Sequence, residues 1–330
     1  MDVVSDAIRA VQIGRPSSNR VRVGGSWCTR LAPYDGAGFH VVLTGGCRLL
    51  TEDGGTVVLG PGDAVLLPHG AGHVLADVDA DPAQTRHAVP FEAWAEGRVP
   101  RVQRPGPGEV ELLCGKYRLD RSRVHPLLAE LPQVIHLPNR VGSHPELRAA
   151  IDLLGRELDE RRPGACIALP SLLDLLLVYM IRARLDEGAS GAWPAVLADP
   201  VTSAALRALH TDPAAPWTNE RLAEEVGVSR PTLARRFSAL VGRPPMAYLT
   251  WWRLTLAAEL LRGTTDPLGG VARRVGYGTP YALSHAFQRE FGVTPGRYRA
   301  LSAPAAAAAT EGPVAAAAAA GAAGGARPSA

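Results

Sequence analysis

One pattern occurs twice in the last third of the chain, and a repeat of this kind restricts the fold more tightly than any other feature. The first copy is "RLAEEVGVSRPTLARRFSALVGRPPMAYL"; the second is "GVARRVGYGTPYALSHAFQREFGVTPGRYR". Ala223, Val226 and Gly227 answer to Ala272, Val275 and Gly276. Leu233, Phe237, Gly242 and Pro245 answer to Leu283, Phe287, Gly292 and Pro295, with one extra residue in the second turn. Each copy predicts a short helix, a tight turn at a glycine that tolerates positive φ, and a second helix capped by Ser229 or Thr279. Pro280 falls at the first helical position, where its missing N–H is no loss. This is the helix-turn-helix layout.

At about 100° per residue, Leu233, Phe237 and Leu240 form one apolar stripe, and Pro231, Ala234, Arg235 and Ser238 point away from it. Arg230 stands at the helix N-terminus and Arg236 on the flank. In the second copy Leu283 and Phe287 face inward, while Tyr281, Ser284, His285 and Gln288 face outward. The outward residues of such a second helix are those that enter a DNA major groove. The alternative is a helical bundle whose arginines are merely solvated. Two copies with matching glycine, leucine, phenylalanine and Gly-x-x-Pro ending argue for DNA instead. The charge distribution agrees. From Ala198 to Leu301 there are 13 arginines against 8 acidic residues, whereas residues 1–197 hold 21 basic against 23 acidic side chains. A basic third beside a slightly acidic remainder implies a polyanionic partner.

The segment "LAEEVGVSRPTLARRFSALVGRPPMAYLTWWRLTLAAELL" followed by "VARRVGYGTPYALSHAFQREFGVTPGRYR" resembles the DNA-binding domain of AraC/XylS-type bacterial transcription regulators. The likeness covers about residues 199–301 and is most specific in "FQREFGVTPGRYR". It implies two helix-turn-helix units joined by a linker helix, here about Pro245 to Arg262, that enter successive major grooves of double-stranded DNA. RNA polymerase is then a further candidate partner. Carried over position by position, the base-contacting slots fall on Pro231, Ala234 and Arg235, then on Pro280, Tyr281 and His285. Arg230, Arg236, Thr279 and Ser284 complete the candidate interface. Pro231 and Ala234 depart from common members and cannot donate from their side chains, so the first half-site is expected to rest on Arg235 and methyl contacts.

Ahead of this domain, residues from about Val21 to Val89 alternate short apolar runs with glycine-rich turns, as in "FHVVLTGGCRLL" and "GTVVLGPGDAVLLP". That spacing predicts a β-barrel or sandwich. "VPFEAWAEGRVPRVQRPGPGEV" reads as a long loop and "EVELLCGKYRL" as one more strand. Helical periodicity begins at "SHPELRAAIDLLGRELDERR", with Ser143 as cap and Pro145 and Glu146 in the first turn. "IALPSLLDLLLVYMIRARLDE" predicts a second long helix, apolar almost all round, which must bury itself in a core or against a partner chain. Leu173 and Leu176 are the candidates for a dimer seam. Pro170 and Asp174 interrupt the run, leaving it short of the roughly 20 apolar residues of a membrane span. "GASGAWP" reads as a linker, and the alanine-rich end as a disordered tail. "MDVVSDAIRA" lacks the apolar core of a secretory signal, and four scattered cysteines read as reduced thiols.

"GDAVLLPHGAGH", with Gly62, Pro68, His69, Gly70 and His73, is similar to the second cupin motif, whose histidine can ligate a metal. The first cupin motif would add two histidines and a glutamate, but "GFHVVLTGGCRLLTEDGG" offers only His40 and Cys47. Three or four well-placed ligands are needed to hold a metal, so His73 is read as a structural or pocket residue, and neither metal nor cofactor is expected. Residues 20–140 resemble the cupin-type sensor domain of a subset of AraC-like regulators, through "PGDAVLLPHGAGH", "LLCGKYRLD" and "HPLLAELP". One branch of that subset includes an activator that responds to reactive chlorine by cysteine oxidation. Cys114 matches a cysteine position there, while Arg20 and Val21 stand where its partner would be and Cys28 lies close by. Lys116 is the only nearby cation in sequence.

The expectation is an α+β chain: a cupin-like sensor barrel over 1–140, a helical dimerisation segment over 141–190, an all-α DNA-binding domain over 199–301, and a tail over 302–330. It would act in the cytoplasm, on the nucleoid, as a homodimeric transcription regulator and not as an enzyme. A small effector would bind a concave, mostly apolar site at the barrel opening, with His69, His73 and Cys114 as the candidate effector contacts or metal ligands, and thiol oxidation ranks below it. A metal-dependent cupin enzyme fused to DNA-binding helices is the competing reading.

Overall fold

The computed structural model describes residues 3–95, 109–119, 125–160, 162–187 and 192–302. Most of the expected long loop (96–108), part of the expected linker (188–191) and the tail from 303 onward lie outside the described residues.

The strands are β1 Ser17–Val23, β2 Cys28–Leu31, β3 Gly36–Thr44, β4 Cys47–Thr51 and β5 Thr56–Leu59, then β6 Ala64–Leu67, β7 His73–Asp77, β8 Val89–Pro90, β9 Val110–Arg118 and β10 Ile135–Leu137. They form two five-stranded sheets in the orders β1-β9-β3-β6-β10 and β5-β4-β7-β2-β8. Alternation along each strand splits the core in two. On β3, His40 and Val42 point between the sheets, where Val42 packs with Leu49, Leu59 and Leu75 of the opposite sheet. Phe39 and Val41 point the other way and join a core built with helices. The first sheet is therefore buried on both faces, which is why β3 and β6 read as unbroken apolar runs rather than alternating ones.

The helices of this half are α1 Val3–Val11, α2 Pro82–Arg86, α3 Phe91–Ala95, α4 Pro126–Ala129, α5 Pro145–Glu160 and α6 Ala165–Asp186. The opening segment, read only as lacking a secretory core, supplies α1 from Val3 onward, which buries Val3, Ala7, Ile8, Ala10 and Val11. Helix α5 starts at Pro145 as expected, but the residue before it is His144, at φ 51, so Ser143 is not the cap. Helix α6 runs through Pro170 without a break, and by length and a mean hydropathy of 1.8 it is apolar enough to cross a membrane. That corrects the expectation drawn from Pro170 and Asp174. The helix is packed nonetheless, with Leu173, Leu176, Leu177, Met180 and Ile181 buried in the core beside α5 and the first sheet. Leu173 and Leu176 thus face inward and cannot form a seam between chains. The outer side of the helix leaves Ile167 77% and Leu175 40% exposed.

The remaining helices are α7 Ala192–Ala198, α8 Pro200–Thr211, α9 Asn219–Glu225, α10 Arg230–Val241, α11 Pro245–Gly263, α12 Leu268–Arg274, α13 Pro280–Phe291 and α14 Pro295–Ser302. Part of the expected linker is in fact α7, whose Trp193 and Val196 are buried, Trp193 lying 5.1 Å from the His125 ring. A tryptophan in that stretch is an anchor. One continuous core runs from α1 and the outer face of the first sheet through α6 into α8, α10 and the start of α11. A separate core begins at Leu254 and holds α12, α13 and α14 together.

Candidate nucleic-acid interface and sensor cluster

Helices α10 and α13 are built alike. The Ser229 hydroxyl accepts from the Thr232 N–H, and Thr279 accepts from Ala282 in the same way. Each helix ends on a left-handed glycine, Gly242 at φ 74 and Gly292 at φ 72. The turns before them need positive φ at Gly227 (69°) and Gly276 (80°), where a side chain would be strained. Leu233 and Phe237 in one unit, and Leu283 and Phe287 in the other, are fully buried. Linker helix α11 spans the expected residues to within one position.

The outward faces come out as the helical geometry predicts. Pro231, Arg235, Pro280, Tyr281 and His285 are exposed, Tyr281 to 85%, while Ala234, Ser238 and Ser284 are half-buried. Arg230 pairs with Glu220 at 2.8 Å and Arg236 with Asp199 at 3.6 Å. Arg235 has no acidic partner among the described residues. The arginine surplus proves less available than the count implies. Arg253 donates to the carbonyls of Pro213 and Ala215, Arg299 to those of Leu261 and Asp266, and Arg262 to the Tyr298 hydroxyl and the Ala10 carbonyl. These three cations hold the fold together.

In the sensor half, His40, His73 and Cys114 meet between the sheets, and His69 does not join them. His40 on β3 stands directly across from Cys114 on β9, and His73 approaches from β7 of the other sheet. His40 Nδ1 lies 3.0 Å from Cys114 Sγ, and His40 Nε2 lies 2.8 Å from His73 Nε2. His73 Nδ1 is 3.0 Å from the Ala71 carbonyl. A carbonyl can only accept, so His73 carries its proton on Nδ1 and accepts on Nε2. His40 must then donate from Nε2 and accept on Nδ1, which leaves the Cys114 thiol as donor. Burial holds His40 well below the ordinary imidazole range and His73 below it, and pushes the Cys114 thiol far up.

The relay is in line, with each ring nitrogen of His40 serving a different partner. Three ligands therefore do not converge on one point, and the set does not fit a metal. A protonated, buried thiol is also a poor nucleophile toward oxidants. Cys28 lies on β2 of the other sheet and, like Cys114, is a free thiol. The cation in sequence, Lys116, is exposed and lies over the Tyr34 ring, 6.0 Å from its centroid. His40 is the true neighbour of Cys114, a pairing visible only once the β3–β9 register is known. His69, by contrast, bonds through Nε2 to the Leu131 carbonyl and lines a cavity outside the barrel.

Residues 2–186 match the family model described as Cupin, and residues 222–301 the one described as Helix-turn-helix domain. A putative AraC-like transcription regulator of Streptomyces lividans is 34% identical over 303 residues, covering 91% of this chain and 98% of its own. The transcriptional regulator AlkR of Acinetobacter baylyi is 29% identical over 309 residues, covering 91% and 99%. The RCS-specific transcriptional activator RclR of Escherichia coli is 28% identical over 264 residues, covering 79% and 83%. A cupin domain followed by paired helix-turn-helix units, together with relatives of this extent, shows that the chain belongs to the AraC-type DNA-binding transcription regulators.

Proposed function

We propose that this regulator reads its operator as a homodimer and that a small effector in its N-terminal half sets its affinity for DNA. Arg235 carries the DNA-reading part of the proposal. It is an exposed guanidinium at a groove-facing slot, without an acidic partner among the described residues, while its neighbours Arg230 and Arg236 are engaged. Such a group can donate two hydrogen bonds to one guanine. Tyr281 and His285 take the corresponding place on α13, with Pro231, Ala234 and Pro280 as apolar contacts and Thr279 and Ser284 near the backbone. Arg230 and Arg236 are better placed for phosphate.

Exposed Leu153 on α5 and Ile167 and Leu175 on α6 supply the dimer face. The protein acts in the cytoplasm on the nucleoid, where contact with RNA polymerase completes its role. The barrel is a sensor without a reaction of its own, because its internal thiols Cys47 and Cys114 are held protonated and His40 and His73 are occupied with one another. Sequence selection from random duplexes with the full-length protein tests the reading. Arg235→Ala should lose base preference at one position of the first half-site, and an unchanged preference removes Arg235 from the interface.

A further inference from the structure

Arg230 opens α10 in the first helix-turn-helix unit, and Glu220 in the first turn of α9 holds its guanidinium at 2.8 Å. We propose that Glu220 is a specificity-determining residue: acting through Arg230, it withholds a phosphate contact from DNA of the wrong sequence and yields it once α10 is seated on the operator. The inference rests on the reading above that α10 faces DNA.

The carboxylate accompanies the arginine. Counted from the matched alanines Ala223 and Ala272, Gly269 takes the place of Glu220 in the second unit. Counted from Leu233 and Leu283, Pro280 takes the place of Arg230. Cation and carboxylate are thus present together in one copy and replaced together in the other. Glu224, on the same helix as Glu220, is also exposed but pairs with no cation among the described residues. Glu220 is restrained as well as charged. Its own backbone N–H, the Thr218 hydroxyl and then Arg230 hold its carboxyl below the usual carboxylate range. Arg236, by contrast, stands 3.6 Å from Asp199, beyond hydrogen-bond reach, and is the freer of the two flanking arginines to meet phosphate.

A phosphate that approaches Arg230 comes within a Debye length, about 8 Å, of the Glu220 carboxylate. The carboxylate repels it and competes for the same N–H groups. On a duplex of the wrong sequence, binding is almost wholly electrostatic. Nothing then holds α10 at a fixed depth, and Glu220 keeps the guanidinium. On the operator, base contacts from Arg235 fix α10 in the groove. The contact between Arg230 and phosphate becomes intramolecular there and displaces an exposed, solvent-screened pair. Discrimination is a difference of two affinities, so weakening the wrong complex widens it.

The test measures binding of the full-length protein by fluorescence anisotropy over about 50 to 200 mM salt. Two duplexes are compared, the one returned by sequence selection and a scrambled version of it. Glu220→Gln and Glu224→Gln are isosteric changes at exposed positions, so the fold is kept. Glu220→Gln should tighten the scrambled duplex about two- to fivefold and the operator by less than about twofold. It should also steepen the slope of log affinity against log salt on the scrambled duplex by about 0.9 per protomer. In an Arg230→Ala background the same change should move neither duplex. Glu224→Gln removes an equal charge from the same helix but releases no arginine, and should not reproduce the effect. No gain on the scrambled duplex, equal gains on both, a gain that persists without Arg230, or the same gain from Glu224→Gln overturns the proposal. Operator affinity unmoved by Arg230→Ala and Arg235→Ala alike takes α10 off the DNA, and overturns the reading on which the proposal rests.

Discussion

Asp6 accepts a hydrogen bond from His210 Nδ1 at 3.1 Å, joining two buried residues 204 positions apart across the seam between the sensor half and the first helix-turn-helix unit. The chain of bonds continues. His210 Nε2 lies 2.8 Å from the Tyr248 hydroxyl, which lies 2.9 Å from His125 Nε2, and His125 Nδ1 accepts from the Leu127 N–H. That last bond fixes one direction, His125 donating to Tyr248, and at the far end the Asp6 carboxylate accepts from His210. Both ends belong to the sensor half and the middle to the DNA-binding half.

Removing Asp6 strands a buried N–H on His210. Asp6→Ala should cost about 1–3 kcal/mol in urea unfolding. Combined with Tyr248→Phe, the loss should be clearly non-additive, since both side chains serve one network. Strict additivity would mean that the two ends do not communicate.

Burial holds His40, His73 and His125 below the ordinary imidazole value of 6.5. In the unfolded chain these rings take up protons as pH falls through that value, while in the folded chain they do not. The unfolded state then binds more protons, so stability contributed by their neutral burial is present above about pH 6.5 and is lost as pH drops below it. The slope is up to about 1.4 kcal/mol per pH unit for each ring. Melting temperature should fall steadily from pH 7.5 to pH 5, and a flat profile would show that the rings are not held neutral.

Arg236→Ala should weaken binding to all duplexes about equally and reduce the slope of log affinity against log salt by about 0.9. The Asp199 pair it leaves behind is exposed enough to contribute under about 1 kcal/mol, so the melting temperature should barely move. A change in base preference for this variant, measured by the same selection used for Arg235→Ala, would exchange the roles of the two arginines.

Leu175→Arg and Ile167→Arg place charge on the outer side of α6 and should give a folded monomer in sedimentation. Leu176→Arg should unfold the protein instead, because Leu176 is fully buried within its own chain. A wild type already monomeric at micromolar concentration rules out the seam.

Cys166 is exposed, whereas Cys114 is buried with its thiol pushed up by desolvation. Iodoacetamide followed by mass spectrometry should label Cys166 first and Cys114 only on unfolding. Equal labelling rates in the native protein would return Cys114 to candidacy as a reactive thiol.

The paired helix-turn-helix units were legible in the sequence because each of their signals is local. Ser229 and Thr279 cap helices that begin one residue later, Gly227 and Gly276 turn within their own segment, and Leu233 and Phe237 share a face through one helix period. The strands of the barrel were legible for the same reason. Tertiary structure alone decided the rest. His40 meets Cys114 through strand register and His73 through the stacking of two sheets, so the likeness that singled out His69 with His73 could not say that only one of them enters the barrel. The apolar circumference of α6 could not reveal which leucines face its own core. Helix α1, the Asp6–His210 bond and the cavity beside them depend on segments brought together from opposite ends of the chain. Periodicity and capping act over a few residues, whereas burial of a charge or enclosure of a cavity is a property of the packed whole.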